Sequence, residues 1–326
     1  MQRSMRRALL LAVGVLAAAA MPALAQAQPY PAKPVKIIVP FTPGSATDIL
    51  ARTVGQKLQE AWGQSVVVEN RAGAGGTIGA AVVAKSAPDG LTLMVHSAAQ
   101  AVNPFIYPTL AYDTLKDFVQ VVPLGGQPNV LVAVPSRGYK SVADLIAEAK
   151  KAPGTLNFGS AGIGSGTHIN GEKFKLAAGI DVAHIPYKGT PEALNDTMSG
   201  RVAYFFSPIS AALPLIRDGR LVALGVSSAR RASRLPEVPT IAESGLPGFD
   251  YNLWVGLFAP AGTPADVVDK INRDVNAVLR EADVRERLAS LGAEAMPMSP
   301  AEFDTFMRAE MDDAAKVVKA AGIKAQ

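Results

Sequence analysis

The sequence predicts an α/β fold made of two domains that face one another. Three observations predict it. Short β-branched apolar runs alternate with capped amphipathic segments, the pattern of βαβ units and mainly parallel sheets. Two glycine-rich strand-to-helix turns, one at Gly44 and one at Gly164, each begin such a series. The chain has 326 residues, more than a single core usually serves.

The elements follow in order. Arg3, Arg6 and Arg7, an apolar run from Leu9 to Ala20, and the small-x-small sites Ala23-Leu24-Ala25 and Ala25-Gln26-Ala27 read as an export signal cleaved near Ala25 or Ala27. The run is short for a membrane anchor, and a cleavage site follows it. Ile37 to Val39 is a buried strand, Pro43-Gly44 a turn, and Ser45-x-x-Asp48 a capping box for a helix to about Trp62. Val66 to Glu69 is the next strand. The turn Gly73 to Thr77 leads to a helix from about Ile78 to Lys85, then a strand from Leu91 to Val95. A loop is expected from Asn103-Pro104 to Phe118. Strands are expected at 119–123 and 129–135, a capped helix from Ser141 to Lys151, and a strand at 156–159. After the turn Ser160 to His168, helix and strand alternate through 182–186, 191–198, 202–206, 210–217 and 221–226. A strand at 253–259, a long helix led by Pro264 at its first position, a short strand near 293–296 and a helix capped by Ser299 complete the chain. The implied division is a signal at 1–25, a first domain at 26–128 and 256–326, and a second at 129–255. Hinge strands are expected near 124–130 and 250–257.

Composition excludes several functions. The net charge is +4, and three of the arginines lie in the expected signal, which contains no acid; without it the charge is +1. No global field for nucleic acid remains, and Arg230, Arg231 and Arg234 read as a solvated loop. The absence of cysteine excludes disulfides, thiol nucleophiles, cysteine metal sites and a lipid-modified cysteine. Only three histidines are present, at 96, 168 and 184, and no acid cluster has metal-loop spacing. Gly162-Ile163-Gly164-Ser165-Gly166 lacks the Gly-x-Ser-x-Gly order of a nucleophile elbow. A Ser165–His168 pair reads as a local cap, and His184 as a packing residue. Gly73-x-Gly75-x-x-x-Gly79 has the wrong spacing for a dinucleotide loop, and the next strand ends in His96-Ser97 with no acid for a ribose. No catalytic residue, cofactor or metal is expected. What remains is uncharged donors at strand ends, Thr42, Ser45, Thr47, Thr77, Ser97, Ser160, Ser165, Thr167, Tyr187 and Ser207, beside helix N-termini that suit an anion.

The markers Pro40-Phe41-Thr42-Pro43-Gly44-Ser45-Ala46-Thr47-Asp48, Glu69-Asn70-Arg71-Ala72-Gly73-Ala74-Gly75-Gly76-Thr77, Tyr112-Asp113 with Lys116-Asp117-Phe118, Gly162-x-Gly164-Ser165-x-x-His168, Pro186-Tyr187-Lys188-Gly189 and Leu235-Pro236-Glu237-Val238-Pro239-Thr240 occur in one order over nearly the whole exported chain. In this the sequence resembles the Bug, or tripartite tricarboxylate transporter receptor, family of periplasmic solute-binding proteins. The resemblance implies a type II periplasmic-binding-protein fold, a monomer whose two domains close on an organic acid, and delivery to permease subunits in the membrane. It implies a carboxylate held by Thr42, Gly44, Ser45, Ala46, Thr47 and Asp48 on one side and Gly164, Ser165, Gly166, Thr167 and His168 on the other. Gly76, Ser97, Tyr187 and Ser207 complete the expected set. Two departures stand out. Ser45 occupies a position where relatives commonly carry a second glycine. Ser207 occupies one where many carry an aspartate suited to an amino group, which points away from amino acids and toward a dicarboxylate, a hydroxy acid or an aromatic acid. The alternatives are a secreted α/β hydrolase using Ser165 and His168, and a periplasmic sensor of the same ligands.

Overall fold

The computed structural model describes residues 30–290 and 292–323. The expected export signal lies outside the described residues.

Nine strands form one continuous, curled sheet. β1 (Val35–Val39) lies between β2 (Val66–Asn70) and β3 (Thr92–Ser97), parallel to both. At the far side β5 (Asn157–Ser160) lies between β6 (Ala183–Pro186) and β7 (Tyr204–Pro208), again parallel to both. β4 (Phe118–Ala133) and β9 (Asn252–Pro260) run between the two parallel groups, and β8 (Val222–Val226) flanks β4. The expectation of mainly parallel pairing is therefore corrected at the centre. β9 is antiparallel to β3 and to β4, and β4 is antiparallel to β7 and β8. β4 takes the chain from the first group to the second and β9 brings it back, so the two strands must oppose each other.

β4 also replaces two expected strands by one of 16 residues. The connection between them, expected as a hinge strand near 124–130, pairs with β9, and the ladder shifts register between Gln120 and Val122 and between Pro123 and Gly125. Gly125 and Gly126 have a reason to lack side chains: a Cβ on either would come within 2.9 Å or 2.8 Å of Glu294 O or Met296 Sδ. The strand expected at 293–296 reduces to one bridge, in which the Gly126 N–H donates to Glu294 O at 2.9 Å and the Glu294 N–H donates back at 2.8 Å.

The helices are α1 (Ala46–Trp62), α2 (Thr77–Ala84), α3 (Ala99–Ile106), α4 (Val142–Lys151), α5 (Gly166–Ala178), α6 (Thr190–Met198), α7 (Ile209–Arg217), α8 (Ala265–Arg280), α9 (Ala282–Ser290) and α10 (Pro300–Ala320). α3 was expected to be loop from Asn103 onward, because Pro104 has no N–H for the carbonyl four residues earlier. That carbonyl, of Gln100, instead accepts the Thr114 hydroxyl at 3.4 Å, and the helix continues. Pro264 stands at the N-cap of α8, one position before the helix. Among the described residues no helix is long and apolar enough to cross a membrane.

Each parallel group has its own core. Ile37, Val39, Leu50, Leu58 and Leu93 pack with Val255, Ile271 and Leu279. Phe158, Phe174, Tyr204 and Phe206 pack with Leu131, Leu145 and Ile241. A small cluster of Val102, Ile106, Ile169, Ala314 and Val318 joins α3 and α10 to α5 across the gap between the groups. It is this arrangement that brings the turns at Gly44 and Gly164 face to face.

Candidate functional site

The first turn follows β1. Gly44 adopts φ +83°, a left-handed value that favours glycine. The expected Ser45–Asp48 capping box is corrected. Ser45 is the N-cap of α1 but its side chain makes no cap bond, because its hydroxyl donates back to Thr42 O. Asp48 is turned the other way: it accepts the Gly44 N–H at 2.9 Å, the Asn70 amide at 2.9 Å and Arg52 Nε at 3.0 Å. Burial raises the Asp48 carboxyl pKa, but Arg52, Gly44 and Asn70 together hold it below the usual value. The N–H groups of Ala46, Thr47 and Asp48 are left with no protein acceptor among the described residues. Beside them the Thr47 hydroxyl is buried and unpartnered.

The second turn follows β5. Ser165 caps α5, accepting the His168 N–H at 3.3 Å and lying 3.0 Å from the Thr167 hydroxyl. Thr167 Oγ1 accepts the Ala161 N–H at 2.8 Å, and His168 Nδ1 accepts the Gly164 N–H at 3.1 Å. The N–H groups of Gly166 and Thr167 have no protein acceptor among the described residues. Ser165 touches the backbone of His168, not its ring, so the pair is no nucleophile and base.

Between the turns lies a small cavity. Ser45, Ala46, Thr47 and Ser97 line one side, and Ser165, Gly166 and Thr167 the other. Phe41, Ala161, Thr190, Pro208 and Leu253 close it. Every lining side chain is uncharged. The first turns of α1 and α5 face it, and Ser97, Thr190 and Pro208 stand at the starts of α3, α6 and α7. Five positive helix ends thus meet around one small space whose lining side chains carry no charge. The cleft is shut. Tyr107 donates its hydroxyl to Ile163 O at 3.1 Å, and Thr42 donates to Glu192 Oε2 at 3.1 Å. Backbone meets backbone at the same seam: a Cβ on Gly75 would fall 2.1 Å from Ile163 O.

Several expected site residues have their side chains or N–H groups turned elsewhere. Thr42 bonds Glu192, Gly44 bonds Asp48, and Asp48 bonds Arg52 and Asn70 behind the turn. Gly76 packs against His96, whose ring would meet a Cβ there at 2.4 Å. Gly164 and His168 hold each other. Tyr187 donates to Asp196 Oδ2 at 2.8 Å, and fully buried Ser207 donates to Pro208 O at 3.1 Å. Sequence reasoning missed Phe41, Ala161, Thr190, Pro208 and Leu253. The first four adjoin motifs already singled out, while Leu253 had only its place in the expected hinge.

Comparison with known proteins follows from this geometry. The model of the family described as "Tripartite tricarboxylate transporter family receptor" matches residues 50–323. Protein BugT of Bordetella pertussis is 40% identical over 319 residues, covering 97% of this chain and 98% of BugT. A solved R. palustris protein with adipate superposes with a TM-score of 0.89 at 37% identity, over 91% of this chain and 100% of that one. MatC from Rhodopseudomonas palustris with bound malate gives 0.84 at 34% identity, over 89% and 100%.

Proposed function

This chain belongs to the tripartite tricarboxylate transporter receptor family, and from that premise we propose that it captures a small organic acid by a carboxylate in the closed cavity and delivers it to membrane permease subunits. The family is one of periplasmic solute-binding receptors, and the fold is theirs. The observation that carries the carboxylate reading is the row of free N–H groups at Ala46, Thr47 and Asp48, met across the cavity by those of Gly166 and Thr167. Each helix end favours an anion by roughly 0.3–1 kcal/mol, more when water is excluded. Thr47 Oγ1, buried and unpartnered, supplies a further donor.

The closeness of the two turns suits a small acid rather than a large one. Relatives solved with adipate and with malate support a diacid or hydroxy acid. Ser207 supports it too, since a hydroxyl spent on Pro208 O gives an ammonium group no counter-charge. In this reading the two domains are residues 26–128 with 256–326, and 129–255, moving as a monomer about the crossing strands. Export to the periplasm is directed by the N-terminal signal, which is cleaved near Ala25 or Ala27. A sensor role would use the same cavity and differ only in its partner. The hydrolase reading needs Ser165 on the ring of His168, and Ser165 bonds the His168 backbone N–H instead.

A thermal-shift screen of the exported chain with adipate, malate, aromatic acids and aspartate tests the proposal. A diacid at a hundred times its Kd should stabilise the fold by about 2.7 kcal/mol and be recovered unchanged. Saturable binding of aspartate with none of any simple carboxylate overturns the ligand class. Ser45→Trp, which fills the first turn, should abolish the response.

A further inference from the structure

Behind the second turn, away from the cavity, two imidazoles are stacked. The rings of His168 and His184 lie 3.9 Å apart with 18° between their planes, over Phe158. Each holds one part of the turn. His184 Nε2 shares a hydrogen bond of 2.6 Å with Ser160 Oγ, which itself accepts the Gly162 N–H at 3.1 Å. His168 Nδ1 accepts the Gly164 N–H at 3.1 Å. The segment between Ser160 and Ser165 therefore rests on two ring nitrogens, and the free N–H groups of Gly166 and Thr167 follow directly from it.

The tautomer of His168 is set by this contact. A nitrogen that accepts an N–H carries no proton, so the proton of the neutral ring sits on Nε2, 3.7 Å from Glu172 Oε1. A second proton can go only to Nδ1, where it points at the Gly164 N–H and leaves that donor without a partner. We propose that His168 is the positioning residue of the second anion turn, and that protonation of its Nδ1 frees Gly164, loosens the turn and releases the bound acid. This rests on the solute-binding reading above.

Charged and titratable groups face the ring from the elements packed against it. On its own helix, Glu172 Oε1 lies 3.7 Å from Nε2, and Lys175 lies 3.1 Å from Glu172 Oε2. From β6, His184 stacks on it at 3.9 Å. Burial, with His168 and Lys175, holds His184 down at about 2, so it stays the neutral half of the pair. From β7, Tyr204 lies close enough for Glu172 to raise its pKa further above what burial alone gives. Residues 321–323 after α10 cover the cluster and carry no ionisable side chain.

Two substitutions separate the parts of the ring. His168→Asn keeps an acceptor where Nδ1 stood and has no proton to gain. His168→Phe keeps the stack and loses the acceptor. Adipate affinity is measured by calorimetry at about pH 8 and about pH 6, within the span where imidazoles exchange protons. The acid's own protonation weakens all variants alike, so the readout is the ratio to His168→Asn. Wild-type affinity should fall about threefold to tenfold more than that of His168→Asn on acidification, the order of one hydrogen bond. His168→Phe should bind about threefold to tenfold more weakly than wild type already at the higher pH, with its unfolding transition intact. An equal acid response in wild type and His168→Asn overturns the proposal, as does wild-type affinity in His168→Phe. Nitrogen chemical shifts of the His168 ring need no ligand: a proton on Nδ1 at the higher pH overturns it independently. Failure of wild type to bind adipate, with the expected tautomer present, counts against adipate as the solute and leaves the positioning role standing.

Discussion

The two turns that face each other across the cavity share a task and differ in how they are braced. The turn before α1 is held from behind by a charge. Asp48 gathers the Gly44 N–H, the Asn70 amide and Arg52, and its capping serine is folded back on Thr42 O. The turn before α5 is held by neutral groups: a serine that does cap, a threonine hydroxyl and the His168 ring. Both leave backbone N–H groups pointing into the cavity. If the proposed carboxylate binds here, the comparison teaches that an anion site needs no facing cation, provided that something behind it fixes the backbone. The brace then decides which condition undoes the site.

Variants should break this comparison by unequal amounts. Asp48→Ala removes the acceptor shared by Arg52 Nε, the Asn70 amide and the Gly44 N–H and should cost about 1–3 kcal/mol of stability by urea unfolding; an unchanged midpoint means that the first turn does not need its carboxylate. The same brace predicts a pH dependence. A carboxyl held below its usual value contributes stability above the unfolded-state pKa, and that stability is lost as the pH falls through the folded-state value. Asp48→Asn should lack this acid step in a series of melting curves.

Thr47→Val removes a buried donor that has no partner in the closed cleft. It should weaken carboxylate binding by about tenfold while leaving the melting temperature of the free protein unchanged or raised. A loss of stability with affinity preserved would assign Thr47 to packing. Tyr107→Phe removes the hydroxyl that ties the end of α3 to the second turn at Ile163 O. It should speed dissociation about threefold to tenfold, read by stopped flow, with association little changed. Ser45→Gly should do least, shifting affinity by less than about threefold, because the hydroxyl serves only Thr42 O and glycine is a tolerated N-cap. A large loss there would restore Ser45 as a ligand contact.

Much of the fold was legible because it depends on local chemistry. Ile37 to Val39, the glycine turns and the serine caps at 141, 165 and 299 behave as their neighbours dictate. Expectations failed where a distant group intervened. Pro104 does not end α3 because Thr114, ten residues on, satisfies the orphaned carbonyl. β4 is a single strand because β9, from more than a hundred residues later, pairs along it. The site followed the same rule. Ser45, Ala46, Thr47, Ser165, Gly166 and Thr167 could be read from their turns. Leu253 reaches the cavity only through the path of β9, and the outward rotation of Asp48, Tyr187 and Ser207 depends on Arg52, Asp196 and Pro208. Position in a motif located these residues, whereas the direction of their side chains was set by partners outside it.

The pairing of Pro128 with Asn252 in the β4–β9 ladder has one more consequence. Everything from 129 to 251 leaves the first half of the sheet and returns to it at neighbouring positions on adjacent antiparallel strands. Such ends can be joined by a two-residue hairpin. The chain thus enters and leaves this segment at one place, although the two halves also touch at the closed seam and through α3, α5 and α10, and the first half could be closed beneath it by a short turn. Exchange of that segment between related chains would alter one wall of the cavity while leaving the other, with its free N–H groups at 46–48, in place.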